Sequence, residues 1–63
     1  MLTKEDWITS IESASDYIIS EMGSDAVVDS VFARYGANGI WDLNPSYYTE
    51  VYSELHQIEE DIA

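Results

Sequence analysis

Sixty-three residues without a cysteine leave room for one domain and one small core, close to the lower size at which a chain folds without disulfides or metal. The missing thiols exclude a disulfide framework, a Cys-based zinc site and thiolate chemistry, and suit a reducing, cytoplasmic setting. Thirteen Asp and Glu against two Lys and Arg give a formal charge of −11, which sets the chain against nucleic acid and anionic lipid and toward a basic partner, while 46% hydrophobic residues keep it in the globular range.

The opening MLTKEDW shows no basic start ahead of an apolar run, and no apolar stretch approaches the ~20 residues of a membrane span, so neither an export signal nor a membrane anchor is predicted. Thr3 and Asp6 have the spacing of a capping box, with Asp where Glu or Gln is usual, and Glu5 and Asp6 suit the positive end of a helix. From there Trp7, Ile11, Ala14, Ile18 and Met22 recur at helical spacing, flanked by Ile8, Ser15 and Ile19, and Gly23 is the natural stop.

Ser24 is placed to cap a second helix whose apolar side is Val27, Val28, Val31, Phe32 and Tyr35, with Gly36 ending it. Its β-branched residues fall at intervals of three and four, not two, which favours helix over strand. After the Asn38-Gly39 turn signal, Ile40, Trp41 and Leu43 are too few for a paired strand and predict a single helical turn or a packed loop. Asn44-Pro45 reads as the cap and first position of a third helix running to about Glu60, with Tyr48, Val51, Tyr52, Leu55, Ile58 and Ile62 as its apolar face and Tyr47 widening it. Three amphipathic helices and no linker or repeat predict a single all-α domain over residues 1–63, a small antiparallel three-helix bundle with a packed connector between helices 2 and 3.

Glu5, Glu12 and Asp16 share one helix face, with successive gaps of about 10 Å and 6 Å along the axis, the second close to the phosphate step of a nucleic-acid strand. Glu50, Glu54 and Asp61 form a comparable row on the third helix. On spacing alone each row reads as the solvated face that any bundle needs; because such faces ordinarily mix both signs, often four residues apart, and these rows hold no Lys, the competing expectation is a partner lined by Lys and Arg that would relieve their self-repulsion. Glu59, Glu60 and Asp61 crowd the negative end of the third helix, where carboxylates are disfavoured. No calcium loop, other metal motif or glycine-rich phosphate loop is present; His56 reads as a surface residue beside Tyr52 and Glu60, and Ser10, Ser13 and Ser15 lack a base. The expectation is therefore no enzyme, no cofactor and no metal.

The connector and its surroundings are rich in rings. Tyr48 and Tyr52 are spaced to stack along one helix face, with Trp41 and Tyr35 approaching from the connector and the second helix. A bundle of this size cannot bury all eight aromatic residues, and Trp41 and Tyr47 are predicted to stay partly exposed as interface anchors.

The run VFARYGANGIWDLNPSYYTEVYSEL, residues 31–55, resembles a pattern found in small uncharacterised proteins of bacterial mobile elements, chiefly from Firmicutes. That resemblance implies a phage or plasmid setting. In size and charge the chain is also similar to anti-CRISPR proteins and other inhibitors that mimic DNA, which implies an acidic inhibitor or adaptor seated in the basic groove of a host nucleic-acid-handling protein. Glu5, Glu12, Asp16, Glu50 and Glu54 would supply its charge, and Trp41 and Tyr47 its anchors. The alternative is a small structural or regulatory module that dimerises through the leftover aromatic surface.

Overall fold

The computed structural model describes residues 3–62; residues 1, 2 and 63, at the ends of the expected domain, lie outside the described residues. The fold is a small all-α bundle of α1 (Lys4–Met22), α2 (Ala26–Arg34) and α3 (Tyr48–Ile62), with no strand among the described residues. Short 3₁₀ turns at Ile40–Asp42 and Pro45–Tyr47 shape the connector between α2 and α3.

Local chemistry accounts for the helix ends. The Thr3 hydroxyl accepts the Asp6 amide and the Asp6 carboxylate accepts the Thr3 amide, both at 3.1 Å, forming the reciprocal box that the sequence predicts. Gly23 closes α1 in the left-handed conformation at φ 71°, its amide donating to the Ile19 carbonyl. Ser24 does not cap α2 directly: Asp25 precedes the helix, and the Ser24 hydroxyl instead accepts the Ala26 amide at 3.1 Å. α2 ends in a Schellman motif, the Gly36 amide on Ala33 and the Ala37 amide on Phe32, with Gly36 at φ 74° and both Phe32 and Ala37 in the core. At the start of the third helical segment the Asn44 side chain accepts the Ser46 amide and Pro45 leads, but the first turn is 3₁₀, and the α-helix then runs to Ile62, two residues past the expected end.

α1 packs most extensively against α3, and Ile11, Ile18, Val31, Val51 and Leu55 are fully buried between the helices. Each such side chain contributes roughly 1.5–3 kcal/mol by leaving water. Ser15 is buried among them, and its hydroxyl donates to the Ile11 carbonyl at 2.8 Å, which offsets the cost of desolvating it. Several residues expected on the apolar faces are half-buried around the core rather than inside it, Val27, Tyr35, Tyr52, Ile58 and Ile62 among them, and two positions at the ends of α1 differ as well. Met22 is 51% exposed, because it is the last residue of α1 and the apolar stripe outruns the elements that cover it. Trp7, near the other end, is half-buried against the core rather than inside it.

Candidate functional site

Glu5, Glu12 and Asp16 lie on α1 with all three side chains exposed, and none makes a hydrogen bond or ion pair among the described residues. The two ion pairs of the described residues are elsewhere, Arg34 with Glu54 at 2.5 Å and His56 with Glu60 at 3.0 Å. Lys4, the other strong cation of the chain, is exposed and caps no carboxylate of the row. This row therefore has no side-chain cation against it, and apart from the helix N-terminus that favours Glu5 its field is screened by solvent ions over a Debye length of roughly 8 Å.

On α3 the expected row divides. Glu50 is exposed, and Asp61 is exposed while accepting a hydrogen bond from Gln57 at 3.2 Å. Glu54 is half-buried: it receives the Arg34 guanidinium from the end of α2 and the Tyr35 phenol from the residue beside it. The hydrogen bond to Glu54 comes first among the causes that raise the Tyr35 phenol above its ordinary value, followed by partial burial and by the negative charges of Glu54 and Glu50, with Arg34 opposing. Glu54 thus serves as a clasp between α2 and α3, and the uncompensated charge of the row belongs to Glu50 and Asp61.

In the connector, Ile40 and Leu43 are buried while Trp41 between them is 80% exposed. In a 3₁₀ turn, positions three apart eclipse, so Ile40 and Leu43 share the inward side and the residue after Ile40 is turned away from it. The Asp42 carboxylate ties the turn down by accepting the Asn38 amide at 3.0 Å and the Asn38 side chain at 3.2 Å. Tyr47 is 40% exposed and packs on Tyr35, ring centroids 5.1 Å apart. The expected stack of Tyr48 on Tyr52 does not form. Tyr48 is buried in the core, whereas Tyr52 meets Trp7 edge-on at 5.9 Å and lies parallel to His56 at 5.9 Å. The two residues are four apart on the helix, but Tyr48 is taken into the core while the Tyr52 ring meets Trp7 of α1.

Two features have no counterpart in the sequence reading. Tyr17 is 39% exposed on α1, off the apolar stripe, and has no ring partner among the described residues. It lines a shallow groove of about 380 Å³ between α1 and α3, together with Thr9, Ser10, Ser13, Tyr52 and Glu59. Among the described residues, no helix is long and apolar enough to cross a membrane and no group of three or more His, Asp or Glu side chains is gathered to hold a metal. Known protein families, characterised proteins and solved structures provide no match to this chain.

Proposed function

We propose that the chain is a non-enzymatic acidic interaction protein that docks in the basic, nucleic-acid-binding groove of a partner protein. The observation that carries this reading is the exposed and unpaired row Glu5, Glu12 and Asp16 on a domain of formal charge −11. Charge of one sign concentrated on a small rigid body speeds encounter with a groove of the opposite sign and competes there with phosphates. Trp41, carried outward on a turn anchored by Ile40 and Leu43, is the apolar contact that holds the encounter, and Tyr47 and Glu50 extend the surface. In its most concrete form the protein is an inhibitor of the anti-CRISPR kind from a phage or plasmid, acting in the cytoplasm on a CRISPR effector or another nucleic-acid-binding host protein. Affinity capture from a host extract tests the reading: a nucleic-acid-binding protein captured at ~0.05 M salt should be released by ~0.5 M salt and by added DNA, as contacts to a polyanion are.

The 80% exposure of Trp41 also favours a second reading, a small structural or regulatory module that dimerises through its aromatic surface. Sedimentation of the isolated chain separates the two, because an aromatic dimer persists or strengthens at high salt while the groove complex dissociates.

A further inference from the structure

We infer that the groove between α1 and α3 receives an arginine side chain of the partner, with Glu59 pairing to the guanidinium and Tyr17 giving it a ring to pack on. This deepens the proposal that the partner is basic and rests on it. Glu59 is half-buried yet makes no hydrogen bond or ion pair among the described residues, while the next two carboxylates of α3 are each engaged, Glu60 by His56 and Asp61 by Gln57. It stands near the C-terminal end of the helix, where the dipole disfavours an anion, so folding by itself gives no reason for a carboxylate there. Its neighbours in the groove supply what a guanidinium needs. Tyr17 has its ring uncovered by any other aromatic residue, and the hydroxyls of Thr9, Ser10 and Ser13 offer acceptors for the N–H groups that a single carboxylate leaves over. A groove of about 380 Å³ lies at the low end of small-ligand sites, suited to one side chain rather than to a helix or strand.

Arginine is favoured over lysine because its planar group both pairs with a carboxylate through two N–H donors and stacks on a ring. A second copy of this chain is the poorer occupant, since it would bring another −11 of charge against Glu59. Ser13 and Tyr17 each follow a member of the acid row by one residue, which puts the groove about 100° around α1 from Glu12 and Asp16. The two surfaces are therefore separable by mutation.

Amide chemical-shift titration of the full chain with N-acetyl-arginine amide, against the neutral isostere N-acetyl-citrulline amide, tests the assignment. The expected result is saturable shifts centred on Ser13, Tyr17 and Glu59 with the arginine probe and much smaller ones with citrulline. Glu59→Gln should weaken the arginine response roughly tenfold, as loss of a charge-assisted contact does, and Tyr17→Ala should weaken it while leaving the fold intact. Asp29→Asn, which removes one charge on the exposed side of α2, should leave it unchanged. Equal shifts with citrulline, shifts confined to Glu5, Glu12 and Asp16, or an unaltered response in Glu59→Gln would overturn the groove assignment. Failure of host-extract capture alongside a normal titration would instead remove the proposed partner class and leave the groove standing.

Discussion

Tyr35 and Glu54, nineteen residues apart in sequence, are joined by a hydrogen bond from the phenol to a carboxylate that also pairs with Arg34. This contact fixes the end of α2 to the middle of α3 and makes the neutral phenol the favoured form in the folded state. The sign of its pH dependence follows. Below about pH 10 the phenol is neutral in both folded and unfolded chains, so the full contribution is present. Above that the unfolded chain ionises first while the folded phenol resists, and stability falls as pH rises through the raised value. Tyr35→Phe removes the effect. Urea midpoints of the two proteins should differ by a steady amount below pH ~10 and draw together as pH rises above it; a gap that stays constant on the alkaline side would refute the linkage.

The helix ends allow a prediction independent of partner binding. Thr3→Ala deletes the hydroxyl half of the capping box and should cost about 1 kcal/mol, within the usual ~0.5–2 kcal/mol of a lost cap. Gly36→Ala meets no atom within 4 Å, so steric crowding is not at issue, but the left-handed φ of 74° remains. A Cβ in that conformation should cost about 1–2 kcal/mol. Chemical denaturation of each variant measures both values, and a neutral Gly36→Ala would mean that the Schellman turn readily relaxes.

These ends were legible because capping is local: Thr3 and Asp6, or Gly36 and the residues just before it, hold the whole device within one turn of chain. The all-α architecture and the core stripe of Ile11, Ile18, Val51 and Leu55 were legible for the related reason that helical periodicity repeats along the sequence. Met22 was misplaced because periodicity does not say where the covering element stops. The ring pairs Trp7 with Tyr52 and Tyr35 with Tyr47, and the clasp of Arg34 and Tyr35 on Glu54, join residues from different elements, and no spacing rule carries that information. Exposure of Trp41 was expected from crowding alone; its physical basis, the 3₁₀ register of Ile40 and Leu43, is visible only in three dimensions. The acid row on α1 could be read from sequence, but the internal pairing of Glu54 could not.

Salt should stabilise the isolated chain. Its charge of −11 includes exposed carboxylates that have no cationic partner among the described residues, and raising ionic strength from ~0.02 to ~0.5 M screens their mutual repulsion. The opposing loss, screening of the Arg34–Glu54 pair, is smaller, because a pair this open to solvent contributes about 0–1 kcal/mol. A higher melting temperature in ~0.5 M salt is expected by circular dichroism, and a lower one would show that repulsion across the acidic surface is not a significant cost of folding.

The anchors can be separated from the core by three truncations. Phe32 is 4% exposed within the core cluster, so Phe32→Ala should cost roughly 3–5 kcal/mol, most of the stability available to a domain this small. Trp41 is 80% exposed and makes no ring pair among the described residues, so Trp41→Ala should leave the melting temperature nearly unchanged while weakening partner binding by about 2 kcal/mol or more. Tyr47 falls between them. Its ring rests on Tyr35, and losing an aromatic pair of this kind costs about 0.5–1.5 kcal/mol beyond the area lost, so Tyr47→Ala should lower stability measurably as well as weaken binding. Thermal melts of the three variants, followed by affinity measurement with the captured partner, give the ordering. If Trp41→Ala unfolds the protein as Phe32→Ala does, the turn at Ile40–Asp42 serves the core and the anchor assignment fails. If it leaves both stability and affinity untouched, the exposed ring belongs to neither, and the charge rows alone must account for binding.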